Sequence, residues 1–293
     1  MISFDYYRIF YYVAKYNSFS KAAEMLGNNQ PNITRCIKLL EGDLDCKLFT
    51  RSNKGAALTP EGQKLFDHVK IAYEHLVFGE EELRQEHDPF GGTIRIGASE
   101  SAIKLYLVDK IEVFKNTFPN IKIKLSSYTS GNAVDDLEKG LIDFGVVSTP
   151  VHINQKFRMR TITSFKESLI AGPKYKDMIK KEPYHLKDLM KYPFICLGSR
   201  TTTREHFIKY FYENGIFFKP DIETSTLDTI MTLISHNIGI SFVPEIIAKA
   251  AIEQGMASGI PIVEPAPERK ICLITDSTRS LSPACRKLIE LLK

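Results

Sequence analysis

Leu65, Val69, Ala72, Leu76 and Leu83 recur at steps of four, three, four and seven, with Gly79 in the skipped position. This heptad spacing predicts one long helix over residues 60–88, roughly 40 Å from end to end. Thr59-Pro60 makes a good helix start, and Glu61 suits the positive end of the helix. A helix of this kind cannot bury its seam alone. It needs either a second copy, which is the reading favoured here, or its own chain. His87-Asp88-Pro89 and Gly91-Gly92 then end the rod and read as a hinge. The chain is thereby divided into a short head, residues 1–59, a rod, residues 60–88, and a long remainder, residues 89–293.

Charge follows the same division. The head holds eight Lys/Arg against five Asp/Glu, while the rod holds three against eight. A basic head on an acidic rod suits a polyanionic partner. The 293 residues suffice for two or three domains with proper cores. No apolar run approaches the roughly 20 residues of a membrane span, and the aromatic, charge-broken N-terminus lacks the order of a signal peptide. The expected location is the cytoplasm. Five cysteines form no metal spacing, and an odd count in such a compartment predicts small buried thiols.

The head carries three helical patterns and a hairpin. The first helix spans about Phe4 to Tyr16, with Tyr6, Phe10 and Val13 on one face. In "NSFSKAAEMLG", Ser18 or Ser20 can cap a second helix, and Gly27 ends it. "NNQPNITRCIKLLE" opens a third, with Asn28 or Asn29 as cap and Pro31 in the first turn, where its missing N–H costs nothing. Ile33, Ile37 and Leu40 face one way, and Pro31, Thr34, Arg35 and Lys38 the other. Gln30 and Asn32 stand at its start. Gln and Asn can pair with adenine and Arg with guanine, and a helix start offers N–H groups to phosphate. "RSNKG" then reads as a hairpin tip bearing Arg51 and Lys54, a wing suited to backbone or minor groove.

The stretch "SFSKAAEMLGNNQPNITRCIKLLEGDLDCKLFTRSNKGAALTPEG" resembles the winged helix-turn-helix of LysR-type transcriptional regulators. The helix pair, Gln30-Pro31, Ile37, Leu40-Glu41, Leu44, Leu48-Phe49, Arg51 and Leu58-Thr59-Pro60-x-Gly62 fall in family register. Asn29 stands where the family often has Ser, and Asp45 where it often has Gly; Asp tolerates a left-handed backbone better than most residues. The resemblance implies that Gln30, Pro31, Thr34 and Arg35 contact promoter DNA, with Lys54 on the wing. It also implies pairing through the linker helix and a tetramer of two dimeric head pairs. A contact with RNA polymerase is a further expectation.

Beyond the hinge, strands alternate with helices: "TIRIGAS", "IKIKLSSYTSG", "LIDFGVVST", "TSFKESLIAG", "FICLG", "DIETST", "GISFVP" and "RKICLIT". A helix is expected near 174–181 and a last one in "SPACRKLIELLK". This alternation implies a mostly parallel sheet. The layout resembles the effector domain of the same family, itself similar to periplasmic solute-binding proteins. The expected fold is α/β overall: an N-terminal all-α winged helix-turn-helix, a long linker helix, and a C-terminal two-subdomain α/β domain with a central cleft. Subdomain I would hold about 93–163 and 267–293, and subdomain II about 164–266.

Ligands of open α/β sheets bind outside the carboxyl ends of strands. Ser99, Glu100 and Ser101; Thr129 and Ser130; Ser148; Ser199, Arg200, Thr201 and Thr202; and Ser225 lie there. Each hydroxyl alone is explained as a helix cap. Five clusters at corresponding places favour a small anionic inducer held by N–H groups and hydroxyls, with Arg200 pairing its carboxylate. Glu100 either stays in solvent or selects an amine.

No P-loop, GxSxG, HExxH or GxGxxG motif occurs, and His152, His206 and His236 lack triad partners. An enzyme is therefore disfavoured, and neither cofactor nor metal is expected. A transport binding protein would fit the second half alone.

Overall fold

The computed structural model describes residues 2–52, 55–85, 92–178 and 182–292. It forms two compact units, Met1–His87 and Asp88–Lys293. Of the hinge read at residues 87–92, residues 87–91 lie outside the described residues.

In the N-terminal unit, α1 (Phe4–Tyr16), α2 (Phe19–Met25) and α3 (Gln30–Asp43) precede a hairpin of β1 (Phe49–Ser52) and β2 (Gly55–Leu58), then α4 (Pro60–Gln85). Of the candidate caps, Ser18 takes α2, accepting from Lys21 N at 3.2 Å, and Asn29 takes α3, accepting from Asn32 N at 2.9 Å. Gly27 turns the chain between them at φ 59°, where a side chain would be strained. Asp45 also holds positive φ, 49°, after α3. Phe10, Val13, Ile33, Ile37, Leu40 and Leu48 are buried in one core; burying each such side chain is worth about 1.5–3 kcal/mol.

Two polar devices fasten the hairpin to this core. Glu41, on α3, accepts from Leu48 N at 2.9 Å, Phe49 N at 3.4 Å and Lys47 Nζ at 2.8 Å. Burial pushes its carboxyl up, but the hydrogen bonds from Lys47 and the two backbone N–H groups outweigh burial and hold it below the usual range. Thr59 caps α4, accepting from Gly62 N at 2.9 Å while donating to Lys47 O at 2.6 Å. Gly62 is required by packing: a Cβ there would lie 2.1 Å from the Leu48 carbonyl oxygen.

The heptad seam of α4 divides. Leu65 and Val69 pack into the core of their own unit, whereas Leu76 and Leu83 are exposed. The first part of the seam read as a contact between copies therefore belongs to the unit's own core, and beside it Tyr11 of α1 meets Phe66 and Tyr73.

The second unit begins with β3 (Thr93–Ser99) and a helical run of α5 (Glu100–Ala102), a π turn (Ile103–Leu107) and α6 (Val108–Thr117). β4 (Lys122–Tyr128), α7 (Ser130–Glu138), β5 (Phe144–Ser148) and β6 (Phe157–Ala171) follow. A 3-10 turn (Pro173–Met178), α8 (Leu186–Leu189), β7 (Ile195–Leu197), α9 (Thr202–Glu213), β8 (Ile222–Thr224), α10 (Leu227–Ser235) and β9 (Ile240–Pro244) continue the chain. α11 (Glu245–Glu253), β10 (Ser258–Gly259), β11 (Glu268–Asp276) and α12 (Pro283–Leu291) complete it.

The sheet runs β10-β6-β11-β5-β3-β4, with β9 also on β6; β7 and β8 form a separate parallel pair. β3 is parallel to β4 and β5, but β11 is antiparallel to β5 and β6, and β6 to β9 and β10. The mostly parallel sheet expected from alternation is thus a mixed one. The cause is β6, which spans 15 residues and serves both lobes. Its first half, "FRMRTIT", alternates little and is largely exposed, so it does not read as strand. The helix expected near 174–181 is the short 3-10 turn, with 179–181 outside the described residues. One lobe is built on Ile94, Phe114, Phe144, Ile271 and Leu288, the other on Phe194, Phe207, Phe211 and Phe242. Cys36, Cys196, Cys272 and Cys285 are buried free thiols. Burial pushes the thiols of Cys196, Cys272 and Cys285 up, away from the reactive thiolate.

Candidate functional site

The first candidate surface is the outer face of α3. Gln30, Pro31, Arg35 and Lys38 are exposed, and Asn32 and Thr34 half-buried. Gln30 Oε1 accepts from Ser20 Oγ at 3.2 Å, which ties the starts of the two helices. Asn32 Nδ2 donates to Asn28 Oδ1 at 3.1 Å. Arg35 and Lys38 have no ion-pair partner among the described residues. No acid occupies the first turn of α3, so no negative charge there offsets its positive end. The face therefore presents two unneutralised cations, an amide and a helix start on one rigid element. Arg51 sits on β1 opposite Ala56. Lys54 lies outside the described residues.

The second candidate site is a cavity of about 580 Å³ between the two lobes of the effector unit. Ser99, Glu100, Ser101, Thr129, Ser130, Ser148, Thr201, Thr202 and Ser225 line it. Ser199 and Arg200 do not; both are exposed in the loop before α9. Many of the lining hydroxyls already have work. Ser99 Oγ donates to Ser148 Oγ at 3.1 Å, accepts from Ser148 N at 3.0 Å and caps Ala102 N at 3.3 Å. Ser130 Oγ donates to Ser148 O at 2.8 Å. Thr129 and Thr201 cap α7 and α9, each accepting from a backbone N–H three residues on.

Glu100 has an assignment that neither sequence reading contained. Its Oε2 accepts from Leu227 N at 2.8 Å, so one lobe's carboxylate sits on the start of the other lobe's α10. Lys104 pairs with Asp228 across the same gap and lies 3.5 Å from Glu100 Oε1.

Sequence reasoning missed the floor of the cavity. Arg269, on β11, is 1% exposed, and Glu167, on β6, 2%. Arg269 Nε donates to Thr149 O at 2.7 Å, Nη2 to Ser148 Oγ at 2.9 Å and Nη1 to Glu167 Oε1 at 3.2 Å. Burial pushes the Glu167 carboxyl up, opposed by Arg269, and pushes the Arg269 guanidinium down, opposed by Glu167. No motif surrounds either residue. The available signal was the charges inside each strand, "FKESLIA" and "ERKICLI", since a charge facing the core of a central strand needs a partner. The apolar part of the lining includes Phe194, Leu197, Phe207, Phe218 and Phe242. Among the described residues no cluster of His, Cys, Asp and Glu could hold a metal ion. No helix among them is long and apolar enough to cross a membrane.

Residues 4–63 match the model of the bacterial regulatory helix-turn-helix protein, lysR family, and residues 87–293 that of the LysR substrate binding domain. An HTH-type transcriptional regulator of Methanocaldococcus jannaschii is 28% identical over 286 residues, covering 97% of this chain and 95% of the relative. The HTH-type transcriptional regulator AlsR of Bacillus subtilis is 28% identical over 236 residues, covering 79% and 77%. In fold, the chain matches full-length CbnR complexed with its target DNA at TM-score 0.76 and 20% identity, covering 99% of this chain and 98% of that one. It matches full-length AphB of Vibrio cholerae at TM-score 0.62 and 20% identity, covering 99% and 98%. With both units accounted for, the chain belongs to the LysR family and is a DNA-binding transcriptional regulator, not an enzyme.

Proposed function

We propose that α3 enters the major groove of double-stranded promoter DNA, with Gln30, Pro31, Asn32, Thr34, Arg35 and Lys38 against it and Arg51 and Lys54 on the wing. The observation that carries this is the exposed Arg35 and Lys38, without an ion-pair partner among the described residues, on a helix with no acid in its first turn. Residues 1–59 act as the reading head and 60–88 as the pairing helix. The exposed Leu76 and Leu83 support a homodimer through α4. Two dimers then make a tetramer working in the cytoplasm, with RNA polymerase as a further partner. Within residues 89–293 the cavity binds a small anionic inducer at the hydroxyl-lined starts of α7, α9 and α10. The ligand acts by binding one lobe arrangement better than another, and the Glu100 bridge to Leu227 is one contact that distinguishes them.

Footprinting of the purified protein on DNA upstream of its own gene, with excess nonspecific competitor, tests the first part. Bounded protection with two-fold character is expected. Protection no stronger than on unrelated DNA counts against α3 as a sequence reader. The same assay with added small acids should show shifted protection for the inducer.

A further inference from the structure

Glu167 lines the cavity, is 2% exposed and meets Arg269 with one oxygen only. Its Oε2 is buried and has no hydrogen-bond partner among the described residues. A carboxylate that served only to neutralise the guanidinium would meet it with both oxygens, the stronger forked geometry. Here the other donors of Arg269 are turned to Thr149 O and Ser148 Oγ. An acceptor left unmatched out of reach of bulk water is costly, and it belongs to a residue that lines a cavity of ligand size.

Adjacent guanidinium nitrogens hold Ser148 and Glu167, so the hydroxyl wall and the free oxygen lie about one guanidinium apart. The lining also includes Phe194, Phe207, Phe218 and Phe242. We propose that the cleft's ligand is a small carboxylate with an apolar body and a hydroxyl or ammonium donor on the carbon beside the carboxylate, and that Glu167 Oε2 accepts from that donor. The carboxylate lies toward Ser130 and Ser148, the apolar body toward Phe207 and Phe242, and the donor over Glu167. Arg269 offsets the charge of Glu167 and so admits an anion beside it. This rests on the reading of the cleft as the sensing site.

The polarity of the contact can be inverted without changing its volume. In Glu167→Gln the side-chain oxygen stays on Arg269 Nη1, which needs an acceptor, and the amide NH2 takes the place of Oε2. The test is calorimetric titration of the full-length protein with two matched series: mandelate, phenylglycine, phenylglyoxylate and phenylacetate, then lactate, alanine, pyruvate and propionate. The wild type should bind a hydroxy or amino member about 10- to 100-fold tighter than its keto and unsubstituted counterparts. Glu167→Gln should reverse the order in favour of the keto acid. If unsubstituted acids bind as tightly as the donor-bearing ones, the cleft remains a carboxylate site and the donor inference falls. If the wild-type preference survives Glu167→Gln unchanged, Glu167 is not the partner. Binding of no member overturns both the donor inference and the anionic-inducer reading. Should Glu167→Gln fail to fold, the wild-type order alone decides.

Discussion

Helix α3 and the cleft employ similar residue types in opposite states. On α3, Gln30, Arg35 and Lys38 stand in solvent, and the two cations are unneutralised. In the cleft, Ser99, Ser130, Ser148, Glu167 and Arg269 are buried and largely bonded to one another. A DNA face works through charges that only the partner completes. A small-molecule floor must be desolvated and held in place before the ligand arrives. The difference predicts that function and stability separate at the first site and are fused at the second.

Arg269→Ala should give the largest effect. It strands the Glu167 carboxylate, and removing one partner of a buried ion pair costs about 3–5 kcal/mol. Urea denaturation of the variant checks this; a loss below about 1 kcal/mol would break the contrast with α3. Glu41→Gln should cost about 1–3 kcal/mol, because the N–H groups of Leu48 and Phe49 lose a charged acceptor. Its pH dependence has a definite sign. The folded carboxyl lies below its usual value, so its contribution is full above the unfolded value, about 4.3, and is lost as pH falls through the folded one. Stability below about pH 4 should therefore fall more steeply in the wild type than in Glu41→Gln.

Arg35→Ala should leave the denaturation midpoint unchanged while weakening specific DNA binding by about 1–3 kcal/mol if Arg35 reads a base. Equal weakening on all sequences in a gel-shift titration would make it a phosphate contact instead. The smallest effect belongs to Asn29. Asn and Ser cap equally well, so Asn29→Ser should shift stability by only a few tenths of a kcal/mol, whereas Asn29→Ala should cost about 1 kcal/mol. A larger change in DNA affinity than in stability for Asn29→Ser would show that the side chain also meets the backbone of DNA.

The head was legible because its signals are local. Caps, Pro31, Gly27 and the spacing of Ile33, Ile37 and Leu40 act within a few residues of where they are written. The sequence could not choose between Ser18 and Ser20, or Asn28 and Asn29, since each pair offers the same chemistry. The cleft was legible only at strand ends. Cap hydroxyls such as Thr129 and Thr201 were found, but Arg200 was expected to meet the ligand and instead lies in the exposed loop before α9. α11 went unread, and β6 was read too short, because their exposed residues blur the pattern.

The sequence by itself determined the family, the three-helix head with its wing, the long α4 and the alternation behind it. Each rests on periodicity or turn chemistry acting over a few residues. Only the tertiary structure decided that Leu65 and Val69 belong to the head's own core while Leu76 and Leu83 stay exposed. It alone brought Glu100 to Leu227 N, and Arg269 to Glu167 and Ser148 across more than 100 residues of chain. Contacts of that separation depend on strand order and register, which a mixed sheet sets through its long crossing strands β6 and β11 and not through any local pattern.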